Sequence, residues 1–156
     1  MMIRILAIGN KMPSWVNEGF QDYAKRFSSG CSLELYEIPA EKRSKNADIP
    51  HIIERESEKL IAAVKPDHHI IALDVKGLSW NTEQLAQELK SWQVDGRHVD
   101  LLIGGPDGLS KTCLQKVHQR WSLSPLTLPH PLVRIILAEQ LYRAVSILQN
   151  HPYHRN

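Results

Sequence analysis

Several features that would assign a protein class at a glance are scarce or missing in this sequence. Only two cysteines occur, Cys31 and Cys113, and they form no Cys-x-x-Cys pair. This argues against a disulfide framework and favours a reducing compartment. No apolar run approaches the length that crosses a bilayer, and the apolar segment Met2–Ile8 lacks the basic leader of a signal peptide. We therefore expect a cytoplasmic protein that does not enter a membrane.

The fingerprints of phosphate-bearing cofactors and of metal sites are absent as well. Neither G-x-G-x-x-G after the first predicted strand nor G-x-x-x-x-G-K-[ST] occurs, which disfavours cofactors held by their phosphates. The eight histidines include no His-Glu-x-x-His, and His68 and His69 would point to opposite faces of a strand, so we expect no metal. Cys113, near the start of a predicted helix, is a candidate nucleophile, although a small core residue is its commoner role.

What the sequence does contain is typical of a globular domain. Its 156 residues, 42% of them hydrophobic and 23% charged, suffice to bury a core, so we predict a single domain over residues 1–156. The formal net charge of +2 is mild, so it permits an RNA partner without requiring one.

Strand and helix signals alternate along the first two thirds of the chain. Apolar runs predict strands, which cover Met2–Ile8, 33–38, 70–73 and 101–103. Each strand is followed by a helix-start signal: Pro13, Asp48, the Asn81 and Gln84 capping box, and Ser110. Because βα units in series align their strands, we predict an α/β fold with a mainly parallel sheet and helices on both faces.

Some element details follow from the same patterns. Alternating polar and apolar residues over 33–38 predict a half-exposed strand near the sheet edge. The strand over 70–73 is expected to end at Asp74, and the helix capped by Ser110 to run to Arg120. Trp15 is expected on the apolar stripe of the first helix.

The last third departs from the βα pattern. Residues 121–128 form a short apolar piece that Ser124-Pro125 interrupts, which is awkward for a central strand. The following helix, over 132–148, has a wide apolar stripe that includes Leu132. This stripe fits either burial against a partner subunit or the core of one monomer.

Three segments are predicted to meet at one edge of the sheet, because each follows a strand-like apolar run. They are the loop after Leu73, the Gly104-Gly105-Pro106 loop and the 123–128 stretch. Glycine there exposes backbone, and open α/β sheets bind ligands at the carboxyl ends of their strands. We expect a pocket that holds a small ligand by main-chain hydrogen bonds and apolar walls.

Charged residues outside this pocket have two interpretations each. The loop over 41–46 is either a solvated connection or a basic loop that contacts phosphate. Arg134 and Arg143 are candidates to hold phosphate or a target base, although an ion pair of Arg143 with Glu139 at i,i+4 spacing is an equally good interpretation.

Five ordered motifs carry a resemblance to a known family. They are Lys42-Arg43-x-Lys45-Asn46-Ala47-Asp48, Leu101-Leu102-Ile103-Gly104-Gly105-Pro106-x-Gly108-Leu109, Leu126-Thr127-Leu128-Pro129-His130-Pro131-Leu132-Val133-Arg134, Glu139-Gln140-Leu141-Tyr142-Arg143-Ala144 and His151-Pro152-Tyr153-His154. The chain resembles the ribosomal RNA large subunit methyltransferase H family, the pseudouridine N3-methyltransferases of the SPOUT class. The resemblance covers nearly the whole chain.

This resemblance implies a SPOUT α/β fold with a carboxyl-terminal trefoil knot, in a homodimer whose interface uses the last helix. The substrate would be a pseudouridine in a hairpin loop of large-subunit ribosomal RNA, within the assembled ribosome. S-adenosylmethionine would bind in the three segments described above. By analogy, the residues that bind this methyl donor are Leu73, Gly104, Gly105, Leu123, Ser124, Pro125, Leu126, Thr127 and Leu128.

The resemblance also places catalysis in the chain end, at Tyr153, His154 and Arg155, which are expected to reach the pocket of the partner subunit. The N3 proton would pass to His154 or to a carboxylate, or the cationic tail would stabilise the anion as it forms. A frayed terminus is the plain alternative. Two rival functions stay open: another α/β cofactor enzyme, and a ribosome-associated binding protein without activity.

Overall fold

Among residues 1–28 and 30–155, which the computed structural model describes, five strands form one sheet in which every pairing is parallel. The strands are β1 (Met2–Ile8), β2 (Ser32–Ile38), β3 (His69–Ser79), β4 (Val99–Ile103) and β5 (Gln119–Ser122). The helices are α1 (Ser14–Ala24), α2 (Ile49–Ala63), α3 (Thr82–Val94), α4 (Lys111–Gln115) and α5 (His130–Leu148). The predicted α/β fold is confirmed, with the strand order β2-β1-β4-β3-β5.

Burial along the strands follows their order in the sheet. β4 is buried at every position, because helices cover both faces of a central strand. β1 is buried from Ile3 to Ile8 for the same reason. β2 lies at the edge, where Leu33 is buried and its neighbours are half-buried or exposed, as the alternating pattern predicts.

Helices cover both faces of the sheet, as predicted. Successive β1 side chains enter different clusters: Ile5 packs with α1, α3 and α5, whereas Leu6 packs with α2 and α4. α5 contacts α1 and α3 along the first face, and Leu60 and Cys113 are buried on the second.

The predicted helix starts are confirmed at three side-chain caps. The Asp48 carboxylate accepts a hydrogen bond from the His51 amide at 3.3 Å. Asn81 and Gln84 form the reciprocal capping box, with two bonds of 2.8 Å. Ser110 Oγ accepts from the Cys113 amide at 3.0 Å. Each cap satisfies an amide that has no partner within its helix.

Two predicted element ends are wrong, and both errors have one tertiary cause. β3 does not end at Asp74 but continues to Ser79, and the helix begun at Ser110 ends at Gln115 instead of Arg120. The residues after α4 form β5, which pairs with β3 across a register shift between Leu73 and Leu78. A Cβ at Gly77 would lie 2.6 Å from the Arg120 carbonyl carbon, so this pairing requires a glycine.

The apolar stripes of two helices are only partly buried. α5 buries Leu137 and Leu141 completely, which confirms a core role, but Leu132 is 41% exposed. Trp15, on the predicted apolar stripe of α1, is 49% exposed, whereas Val16 and Phe20 of the same stripe are buried. α5 and the other helices in the described ranges are too short or too polar to cross a membrane. The homodimer and the knot stay predictions.

A buried charge cluster joins β1, β4 and the start of β3. Arg4 donates to both carboxylate oxygens of Asp100 at 2.7 Å, and the Lys65 amide and His68 Nδ1 donate to the same carboxylate at 3.0 and 2.9 Å. Burial raises the pKa of Asp100, but these hydrogen bonds, that of Arg4 first, outweigh burial and hold the pKa below its usual range. The carboxylate is therefore charged and fully satisfied at neutral pH.

We predict that Asp100→Asn lowers the free energy of unfolding by about 3–5 kcal/mol, because Arg4 stays buried without its counter-charge. Asp95→Asn, at the exposed end of α3, is the matched control and should change the free energy of unfolding by less than about 0.5 kcal/mol. Because the folded pKa of Asp100 lies below the unfolded value of about 3.9, its contribution is present above that pH and is lost as the pH falls through the folded pKa. Urea titration of both variants at pH 7 measures the difference, and equal values would contradict the role of the pair.

Candidate active site at the carboxyl ends of the strands

A cavity of about 240 Å³ opens at the carboxyl ends of β4 and β5, beside residues 73–75 in the irregular part of β3. One water molecule needs roughly 15 Å³ by the same measure, so the cavity has room for a small organic molecule. Its walls come from 73–75, 103–105, 108–109, 122–124 and 126–128, with Leu114 and Val133 from the flanking helices. We call it the donor cavity. The predicted convergence of three segments is confirmed.

Most of the residues predicted to bind the methyl donor line this cavity. They are Leu73, Gly104, Gly105, Leu123, Ser124, Leu126, Thr127 and Leu128. Pro125 belongs to the same loop but is exposed and is not a lining residue. Asp74 belongs to the segment after Leu73 that was predicted to reach the pocket, although no role was predicted for its side chain. Leu114 and Val133 were not predicted, since only the packing of α4 and α5 brings them there.

The glycine loop over 104–108 folds back on itself. The Gly108 amide donates to the Gly105 carbonyl at 3.0 Å, and Gly108 has a φ of +84°, which favours glycine. A Cβ at Gly104 would lie 2.8 Å from the Gly108 carbonyl atoms. The absence of that Cβ lets the two backbone segments approach and leaves main chain exposed along the cavity wall.

Side chains hold this loop from two directions. His130 Nε2 lies 2.6 Å from the Gly104 carbonyl, which only accepts hydrogen bonds, so Nε2 carries a proton. Burial lowers the pKa of His130, so the ring is neutral at pH 7. On the other side, Arg43 donates to Asp107 at 2.9 Å and to buried Glu56 at 2.9 Å. His130 belongs to one of the five motifs quoted above, but no role was predicted for it.

The lining of the donor cavity carries few charges, and its charge is negative. Among the described residues that line it, Asp74 is the only charged side chain; the others are apolar residues, glycines, serines and a threonine. A phosphate would meet no lysine or arginine here and would be repelled by Asp74. The wall therefore suits a neutral or cationic ligand with hydrogen-bonding groups.

Metal binding and nucleophilic catalysis by Cys113 are the two other chemistries that the sequence raised. In residues 1–28 and 30–155, no group of three or more His, Cys, Asp or Glu side chains is arranged to hold a metal ion. Burial raises the pKa of the Cys113 thiol to about 11, so it is protonated and unreactive at neutral pH. The nucleophile interpretation of Cys113 is wrong, and its core role is confirmed.

The chain end packs on α5 of its own chain, away from the donor cavity. The Tyr153 hydroxyl donates to Glu139 at 3.1 Å, and its ring lies 4.8 Å from that of Tyr142. His154 Nε2 lies 3.3 Å from a Glu83 carboxylate oxygen, and Arg155 is exposed. Tyr153 and His154 are therefore not frayed, and the structure does not bring the predicted catalytic residues to the donor-binding residues of the same chain.

The arginines on α5 are engaged in ion pairs. Arg134 is fully buried, where it donates to Glu37 at 2.5 Å and to the Gly9 carbonyl at 2.6 Å, so the prediction that it holds phosphate or a base is wrong. Arg143 pairs with Glu139 at 2.5 Å, which confirms the ion-pair interpretation.

Comparison with known proteins decides between the families that share this architecture. A family model described as a predicted SPOUT methyltransferase matches residues 1–154. The chain belongs to the SPOUT methyltransferase family. SPOUT methyltransferases generally use S-adenosylmethionine, a methyl donor without phosphate.

A solved structure supports the fold assignment of this SPOUT chain. The structure of a probable methylase family protein from Haemophilus influenzae Rd KW20 superimposes with a TM-score of 0.56, over 99% of this chain and 70% of that chain. The two sequences are 15% identical, so the likeness shows a shared fold and no more.

We predict that Gly104→Ala weakens the binding of S-adenosylmethionine by about tenfold or more, because the new Cβ forces the Gly108 backbone out of the cavity wall. Gly96→Ala is the control: it also costs about 1 kcal/mol of stability, since Gly96 has a φ of +68°, but it lies outside the cavity lining. Calorimetric titration and a thermal melt of each variant separate affinity from stability. Equal affinities in the two variants would contradict the role of Gly104.

Proposed function

We propose that this SPOUT methyltransferase transfers the methyl group of S-adenosylmethionine to N3 of a pseudouridine in large-subunit ribosomal RNA. The observation that carries the donor half of this proposal is the donor cavity, where three chain segments meet around one acidic side chain. The five ordered motifs of the sequence support the acceptor half, with the assembled ribosome as substrate.

The donor cavity fits S-adenosylmethionine by its charge and by its exposed backbone. The sulfonium and ammonium groups outweigh one carboxylate, so the molecule is cationic, and Asp74 attracts a cation. Gly104, Gly105 and the 123–128 segment offer backbone groups, while Leu73, Leu109 and Leu114 offer apolar walls. When bound, the sulfonium supplies an electrophilic methyl group, so the chain's own task is to hold and align the reactants.

The tail residues have distinct chemical capacities. Burial, followed by the charge of Glu139, raises the pKa of Tyr153 to about 12, so its hydroxyl is a hydrogen-bond donor and not a base at neutral pH. His154 carries an imidazole, a group that can act as a general base towards the N3 proton, and Arg155 is a cation suited to an anionic acceptor. Because the tail lies away from the donor cavity of its own chain, we assign it to the cavity of a partner subunit.

The remaining parts of the proposal concern assembly. The exposed Leu132 and the half-buried stripe of α5 suit a homodimer interface. One knotted domain over residues 1–156 and a cytoplasmic location complete the proposal; the buried free thiols Cys31 and Cys113 agree with a reducing compartment.

We predict that calorimetry detects binding of S-adenosylmethionine and none of NAD or ATP, because the cavity wall has no cation for phosphate. Asp74→Asn should weaken the binding of S-adenosylmethionine by at least about fivefold, the effect of roughly 1 kcal/mol, and should affect less the binding of the product S-adenosylhomocysteine, whose net charge is zero. Binding of none of these ligands would overturn the proposed function in favour of a non-enzymatic ribosome-binding protein.

We predict that deletion of residues 151–156 abolishes methylation of ribosomes and preserves the affinity for S-adenosylmethionine. Dimers mixed from a tail-deleted chain and a Gly104→Ala chain should regain activity, since one intact cavity then meets one intact tail. The measurement is incorporation of a labelled methyl group into ribosomes, with each variant alone as the control. Unchanged turnover of the deletion variant removes the catalytic role of the tail, and mixed dimers without activity remove its action across the interface.

A further inference from the structure

A second cavity, of about 370 Å³, lies at the carboxyl ends of β1 and β2. It is lined by 8–12, by 40–42, and by Pro106 and His130. We call it the lysine cavity. The prediction of a basic loop over 41–46 falls on its rim, and the donor half of the proposed function leaves it unused.

The charge of the lysine cavity is opposite to that of the donor cavity. Lys11 and Lys42 line it, both are exposed, and neither forms an ion pair within the described ranges of the chain. Its carboxylate, Glu41, is paired with Lys59 at 2.8 Å and with Arg55 at 3.5 Å. Two lysine charges therefore remain available to an anionic group.

The walls that carry these lysines are held in place by buried partners. Arg134 donates to the carbonyl of Gly9, which lies two residues before Lys11 in the sequence. The Glu41 amide, next to Lys42, donates to buried Glu56 at 2.9 Å. Arg43, the neighbour of Lys42, is the anchor of the loop through Glu56 and Asp107. In the loop over 41–46, Arg43 therefore anchors the loop and Lys42 faces the open cavity.

The glycine loop forms the partition between the two cavities. Gly105 lines the donor cavity and the next residue, Pro106, lines the lysine cavity. His130 lines the lysine cavity and donates to the Gly104 carbonyl in the donor wall. The base that accepts the methyl group must reach the donor cavity. The adjacent lysine cavity is therefore suited to a neighbouring nucleotide of the same RNA strand.

We propose that the lysine cavity binds a nucleotide that flanks the acceptor in the RNA strand. Its phosphate would pair with Lys11 and Lys42, and its sugar or base would lie against Met12 and Pro106. Splayed nucleotides of RNA loops present such phosphates and ring faces together. This inference rests on the proposed RNA substrate and adds the place where the strand is gripped.

The test compares two lysines of one exposed loop. Lys42→Ala removes a lysine of the cavity, whereas Lys45→Ala removes an exposed lysine of the same loop that does not line it. Lys42→Ala should raise the Kd for ribosomes, measured by co-sedimentation, and the KM for methylation by about tenfold each, without changing kcat or the affinity for S-adenosylmethionine. It should also reduce the slope of log Kd against log salt by about 0.7, the loss of roughly one phosphate contact. Lys45→Ala should change none of these values.

Co-sedimentation keeps this test independent of catalysis. If the wild-type protein binds ribosomes but transfers no methyl group, the proposed function fails, and the difference between the two lysine variants still decides the lysine cavity. Equal ribosome affinity and salt slope in both variants would overturn the inference, as would wild-type protein that does not bind ribosomes. A Lys42→Ala protein that is monomeric where the Lys45→Ala protein is dimeric would assign the cavity to a second copy of the chain instead.

Discussion

The contacts that hold the glycine loop determine both cavities. His130 binds the Gly104 carbonyl from α5, and Arg43 binds Asp107 from the side of α2, where buried Glu56 fixes the guanidinium. A Cβ at Gly105 would lie 2.8 Å from Glu56 Oε1, so the loop sits directly on this ion pair. The loop is therefore a wall with a fixed position, although its own residues supply few side chains. A ligand on either side of it meets backbone that is already ordered, which lowers the entropic cost of binding.

The cations of the chain divide by type in a way that follows from their chemistry. The planar guanidinium groups of Arg4, Arg43 and Arg134 are committed to carboxylates and carbonyls of the fold, where several fixed donors are needed. The lysines around the second cavity stay solvated and unpaired in the described ranges. An ammonium group keeps its hydration until an anion arrives, so it suits reversible contact with phosphate.

How far the sequence predicts the structure depends on whether the determining contacts are local. The caps at Asp48, Asn81 and Ser110 involve residues three positions apart, so they were predictable from the sequence. The bulge that keeps β3 paired with β5 depends on Gly77 against the Arg120 backbone, a contact between distant segments. The periodicity of residues within one strand does not report such a contact, so the predicted end of β3 at Asp74 was wrong.

The same distinction applies to the donor cavity and its surroundings. Glycines after an apolar strand are a local signal, and Gly104 and Gly105 were found by it. The segment that begins at Asp74 also had a local signal, the end of an apolar run, although the continuation of β3 beyond it did not. His130 reaches Gly104 across 26 positions of sequence, so this contact had no signal in its own neighbourhood. Arg134 looked like a free cation on an apolar helix, yet its partners are the ends of β1 and β2. Only the docking of α5 assigns it to the interior.

The separation of opposite charges by one loop has a consequence for a reaction between a cationic donor and a polyanion. Lysines in the donor cavity would repel a sulfonium, and a carboxylate beside the RNA strand would repel its phosphates. With Asp74 on one side of the glycine loop and Lys11 and Lys42 on the other, each reactant of the proposed methyl transfer would meet the charge that attracts it. The acidic residue Glu41 lies on the lysine side, but Lys59 and Arg55 neutralise it, and its hydrogen bond with Lys59 lowers its pKa. The partition is thus maintained by paired charges as well as by the backbone that forms it.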